Sequence, residues 1–216
     1  IITIDSVAGG TGPNGTARIG DFLSIDFTLK QTDGTPIELG SLARGAIMLS
    51  GPTFNDQRVI GSQSDLATRS ASRGSGSYRY AFALPLPAAY LPPLNDTTSL
   101  TDGELTGQAL LAGTYTVGIE ARRDFVIAGA AVHDVGNASR DFLFGSAASL
   151  EPRQVVTLEN CNQCHSRLSA HGGNRTGRIV GRAEINEIGL GQILDIRKEP
   201  VIRCAGHITD LFELAS

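Results

Sequence analysis

A mainly β fold, an immunoglobulin-like β-sandwich followed by a small, partly helical segment, is predicted by three features of this 216-residue chain. Its 26 glycines and absence of tryptophan favour turns and short strands over long helices. Residues 22–30 alternate strictly, with Leu23, Ile25, Phe27 and Leu29 on one face and Phe22, Ser24, Asp26 and Thr28 on the other. Before residue 150, about seven strand-like runs are punctuated by turn signals, the spacing of a sandwich. The cysteine pair and tryptophan of antibody domains are missing, so only the architecture is implied.

The elements follow in order. Residues 2–7 form a short apolar strand, and residues 9–15 a glycine-rich loop with a turn at Asn14-Gly15. The 22–30 strand buries its Leu/Ile/Phe/Leu face and turns at Asp33-Gly34 into residues 36–39. Residues 46–50 and 78–84 are further strands, with Met48 a core position. Between them, residues 62–77 are rich in Ser, Arg and Gly and read as a mobile surface loop. Residues 85–93 are proline-rich and excluded from a central strand, and residues 95–107 are polar and turn-rich. Tyr115, Val117 and Ile119 alternate against Thr114, Thr116 and Gly118 in a strong strand over 113–125; residues 126–133 and 139–144 complete the set. Near residue 150 the character changes, dividing the chain into a sandwich over 1–150 and a segment over 151–216. Residues 151–158 are a linker or last strand, while residues 183–196 and 209–215 are helical candidates, the first weakened by Gly189 and Gly191.

A net charge of −4 and a pI near 5.5 argue against nucleic acid as a partner. No apolar run is long enough to cross a membrane as a helix. Three cysteines make no disulfide framework. No Ser-His-Asp arrangement and no phosphate-cradling glycine loop stands out, so no enzyme of those kinds is expected.

The chemistry concentrates in Cys161-Asn162-Gln163-Cys164-His165, a complete C-x-x-C-H. In a c-type haem site two thiols add to the porphyrin vinyl groups, two spacer residues set the span between the sulfurs, and the adjacent histidine ligates the iron. A zinc site would need a second ligand pair, and the remaining cysteine, Cys204, stands alone. A thioredoxin-like pair belongs at a helix start in a βαβ setting, which the preceding residues do not supply. One covalent haem c is therefore expected, on Cys161 and Cys164 with His165 as proximal ligand. Its attachment implies export to the periplasm, the outer cell surface or the extracellular space.

The run from Cys161 through His165, Arg167, Leu168, His171, Gly172, Gly173 and Asn174 to Arg175 closely resembles the first haem site of the OmcA/MtrC family of outer-membrane multihaem c-type cytochromes. Gly20-Asp21 ahead of an alternating strand, Asp33-Gly34-Thr35-Pro36 and Gly113-Thr114-Tyr115-Thr116-Val117 resemble more loosely the β-domain that precedes the haems in that family. The resemblance spans roughly residues 1–176. It implies electron transfer outside the cell, other redox proteins or haem-bearing subunits as partners, and His171 as a histidine of the kind that ligates a haem distally. This chain departs from the family after Arg175: residues 177–216 hold no further C-x-x-C-H, so it carries at most one haem.

Four histidines bound the choice of distal ligand. His171 follows His165 too closely to cross to the opposite face of the same iron, and so suits a haem on a neighbouring molecule in a homo-oligomer, or a purely structural role. His133 and His207 are the candidates within the chain, with His207 favoured because the tail needs a place to pack. Arg167 and Arg175 are candidate propionate partners through charge-assisted bonds. The expected function is that of an exported monohaem cytochrome performing outer-sphere electron transfer. One rival is a structural or binding β-sandwich subunit, such as an adhesin, in which the haem matters little; another, should the sixth haem position be open, is a haem enzyme or gas sensor.

Overall fold

The computed structural model describes residues 1–54, 56–92 and 105–153. Two four-stranded antiparallel sheets face each other across one core. Among the described residues the strands in chain order are β1 (Ile2–Ala8), β2 (Ser24–Leu29), β3 (Arg44–Ser50), β4 (Arg58–Gln63), β5 (Ala71–Gly74), β6 (Ser77–Ala81), β7 (Gly113–Ile127) and β8 (Ala130–Phe144), with one short α-helix, α1 (Leu66–Arg69), and two 3-10 turns, Pro13–Gly15 and Leu39–Ser41. The first sheet runs β1-β2-β6-β5 and the second β4-β3-β7-β8. That is the A-B-E-D and C-F-G order of immunoglobulin-type sandwiches, with one extra strand beside the C position.

The inner faces are those the alternation marks out. Leu23, Ile25, Phe27 and Leu29 are all buried and pack with Ile47, Leu49, Tyr115 and Val117 of the opposite sheet. Met48 is buried as expected. The central strand β7 departs from simple in-out alternation: residues 114–121 are buried throughout. Its outward Thr116 donates to Asp141 Oδ1 at 2.6 Å, and its outward Glu120 accepts from Arg44 Nε at 3.0 Å. Side chains of neighbouring strands thus roof the outer face, and hydrogen bonds compensate the buried oxygens.

Two expectations need correcting. Residues 62–77 are not a loop: they hold the end of β4, then α1, β5 and the start of β6. Their polarity is that of an edge, since β5 is exposed along its whole length, while fully buried Leu66 anchors α1 to the core. Nor do residues 126–133 and 139–144 form separate strands, because β8 runs unbroken over Ala130–Phe144. Gly136-Asn137 mimics a turn, yet Gly136 pairs in register with Ala121. A Cβ there would lie 2.9 Å from the Ile2 side chain, so the glycine serves the close approach of β1. The turn lies instead at Ala128 and Gly129, with φ of 51° and 82°, the two positive values of a tight hairpin turn.

The β7–β8 hairpin outgrows its sheet. Pairing with β3 ends at Arg44–Arg122, whereas pairing with β8 continues to Ile127–Ala130. The overhang is an arm with an apolar tip, on which Val126 is 76% exposed. At its root, Arg123 Nε donates to Asp134 Oδ2 at 3.1 Å.

Three carboxylates tie strands and loops together. Asp26 accepts both guanidinium nitrogens of Arg79 at 2.6 Å and the Ser6 hydroxyl at 2.8 Å, a row across three adjacent strands. The Arg79 hydrogen bonds hold Asp26 below the ordinary carboxylate value despite partial burial. Burial pushes Asp21 upward, but donors from Thr11 and Arg18 outweigh it and lower the group. Asp65 is likewise lowered, burial being outweighed by Arg69 and the Tyr80 hydroxyl. Because the folded chain holds these protons less tightly than the unfolded chain, their contribution is complete above the unfolded value of 3.8 and is lost as pH falls below it. Urea midpoints should therefore drop between pH 5 and about pH 2.5, and Asp26→Asn should flatten that dependence. A midpoint independent of pH there would contradict this account.

Candidate functional site

The chain leaves the described fold at one end of the sandwich, where it is fixed by three hydrogen bonds. Glu151 N donates to Thr114 Oγ1 at 2.7 Å, Thr53 Oγ1 donates to Glu151 O at 2.7 Å, and Arg153 Nη1 donates to Phe54 O at 2.6 Å. Thr114 opens β7, so the exit point is set by the central strand of the second sheet. Cys161 follows Arg153 by eight positions, which confines its sulfur to within about 28 Å of this exit at full extension.

Cys161, Cys164, His165, Arg167, His171, Arg175 and His207 lie outside the described residues, as do the helical candidates over 183–196 and 209–215. Among the expected site residues, His133 alone is described. It sits on the hairpin arm, exposed, with Nδ1 2.7 Å from Asp124 Oδ1. Asp124 also pairs with Arg122 Nε at 2.9 Å. A carboxylate on Nδ1 fixes the imidazole and leaves Nε2 outward, a sound arrangement for a ligand. Its place is remote from the exit, however. Eleven positions of β8 separate His133 from Phe144 at the exit end, roughly 36 Å of strand.

Among the described residues no group of three or more His, Cys, Asp or Glu side chains is placed to hold a metal ion. A groove lined by Ile1, Leu29, Ile37, Leu42 and Arg122 near the root of the arm holds only ≈ 30 Å³, room for a single water molecule. No described helix is long and apolar enough to cross a membrane.

The exit end was missed as a functional feature in the sequence, though its signal was there. Residues 51–54, 82–92, 105–113 and 145–150 carry no charged side chain at all. Hydrogen bonds gather these stretches into one surface: Gly20 N donates to Leu86 O at 2.9 Å, Leu110 N to Ala88 O at 3.3 Å, Gly145 N to Ala17 O at 2.8 Å and Thr53 N to Thr114 O at 2.8 Å.

No family model matches the chain, and no curated protein matches it. Among solved structures, the crystal structure of MtrC from Shewanella baltica OS185 matches with a TM-score of 0.49 and 24% sequence identity. The match covers 82% of this chain and 28% of that one, so the chain spans well under a third of that protein's length.

Proposed function

We propose that the chain is a haem c-bearing electron carrier exported from the cell, in which the β-sandwich supports a short cofactor segment. The observation that carries this reading is the C-x-x-C-H at Cys161, Cys164 and His165. Its donor set fits the group: two thiols at the spacing of two porphyrin vinyls, and an imidazole directly after the second. Bound there, the iron would exchange one electron between its ferric and ferrous states. The chain's own residues hold and orient. Cys161 and Cys164 would supply the thioether links, and His165 an imidazole nitrogen for the iron. His207 is the favoured second nitrogen, with His133 and His171 the other candidates. Arg167 and Arg175 offer guanidinium forks to the propionates. No substrate bond is made or broken, so the protein's contribution is positioning and tuning of the potential. Outer-cell-surface, periplasmic and extracellular settings all fit, with other redox proteins or a second copy of this chain as partners. The binding-module reading keeps one supporting observation, the exposed apolar arm tip.

The test is export of the chain in a host with the c-type maturation machinery, followed by denaturation and acetone extraction. Colour that stays with the polypeptide and a c-type α-band on reduction are expected. An intact mass equal to that of the bare chain would overturn the electron-carrier reading.

A further inference from the structure

We propose that the exit end of the sandwich is the seat of the chain's own residues 154–216, an apolar wall against which the cofactor segment packs. The inference deepens the preceding reading, on which it rests only for the identity of what the segment carries.

The first observation is an inverted surface. Hydrogen bonds from Phe82 N to Leu23 O and from Leu86 N to Asp21 O set residues 21–23 against 82–86. Leu23 and Leu86 point into the core and are buried; Phe22 and Leu84 point away from it and are 59% and 60% exposed. Large apolar side chains exposed on adjoining segments mark a surface that something else covers. Phe54, Leu111 and Leu150 extend the exposed apolar surface toward the point where the chain leaves.

The second observation is the sparseness of charge already noted across the stretches that build this end, beside which Arg18, Glu151 and Arg153 are charged. A solvated surface is about a quarter to a third charged. Asp21, the acid nearest Phe22, is buried and spends its oxygens on Thr11 and Arg18. Charged side chains cluster instead at the root of the arm, at the opposite end.

The third observation decides the occupant. The chain exits from this surface at Arg153, whose side chain donates to Phe54 O, and the rest of the chain continues from there. Tethered at Arg153, it meets the exit end at an effective concentration of order millimolar, which a second copy at micromolar concentration does not match. Packing there would place apolar side chains rather than water beside the segment, lowering the local dielectric around any group it binds.

The test uses the full exported chain with a photoreactive benzoylphenylalanine replacing Phe22 or, separately, Leu84, both exposed enough to tolerate it. A third chain carries it in place of Val126 at the arm tip. After irradiation, peptide mapping should find adducts from positions 22 and 84 within residues 154–216 of the same chain, and none from position 126. Adducts to a second copy or to lipid, no adduct at all, or equal adducts from position 126 would overturn the proposal. Intact mass on the same samples reads the haem separately. A haem-bearing chain without adducts refutes the seat and leaves the cofactor reading standing; a haem-free chain with adducts does the reverse.

Discussion

Tyr115→Ala should cost about 3–5 kcal/mol, a large share of the 5–15 kcal/mol that holds a domain of this kind together. Tyr115 is fully buried at the start of β7, its ring 4.7 Å from that of Phe144 and 6.1 Å from that of Phe142. Its hydroxyl donates to Leu111 O at 2.7 Å, four residues upstream. A tyrosine near the start of the F strand, bonded back to the preceding backbone, is a corner device of immunoglobulin-type sandwiches. The corner here is doubled: the Tyr90 hydroxyl lies 3.2 Å from that of Tyr115 and donates to Gly51 O at 3.0 Å. Gly51 is itself required, since a Cβ there would stand 2.4 Å from Tyr115 Cγ. Truncating Tyr115 therefore removes a core ring, strands Leu111 O and loosens the bend that brings β7 to the exit point. Tyr115→Phe keeps the ring and should cost about 1–2 kcal/mol, the penalty of one part-buried acceptor left without its donor. Urea denaturation of the two variants checks this ordering. Equal losses would mean that the hydroxyl, not the ring, carries the contribution; a negligible loss in both would remove Tyr115 from its place as the keystone of the corner.

The fold was legible where one face of a strand is wet. Residues 22–30 announced their inner face because Ser24, Asp26 and Thr28 contrast with Leu23, Ile25, Phe27 and Leu29. Legibility failed where local chemistry serves a distant contact. Gly136-Asn137 carries turn residues, but the glycine answers to Ile2 on another strand, and no local pattern reveals that. Ala128-Gly129 makes the real turn without the Asn or Asp that usually marks one. The polar run over 62–77 was misread because an exposed edge strand and a loop share the same composition. The tyrosine corner was within reach, as Tyr115 opens the strongest late strand, yet alternation alone gives a buried ring and not its hydroxyl's partner. The candidate site divides in the same way. The cofactor motif is a matter of residue types and spacing, readable from five letters. The apolar wall is assembled from stretches that lie far apart in the chain, and the absence of charge in each gains its meaning once β7 and the 9–23 loop bring them together.

Replacing Cys161 and Cys164 together with alanine should abolish the covalent cofactor while leaving the sandwich folded. The first half follows from chemistry: with neither thiol present no thioether can form, and His165 alone offers a reversible bond that denaturation and acetone break. The second half follows from where the core lies. The buried apolar cluster runs from Ile4 to Phe144, and the last described hydrogen bonds to the sandwich come from Glu151 and Arg153. Among the described residues these contacts close the two sheets on each other, so the far-UV signature of the sheets and the main unfolding transition should survive the double substitution with a shift of at most a few degrees in Tm. The extracted polypeptide should be colourless, with an intact mass equal to the chain alone. Two failures would be informative in different ways. Colour persisting through denaturation would place the attachment elsewhere, with Cys204 the one thiol left. Collapse of the sheet signal would mean that the segment after Arg153 is part of the sandwich's folding unit rather than a passenger on its exit end, and the division of labour between support and cofactor would have to be redrawn.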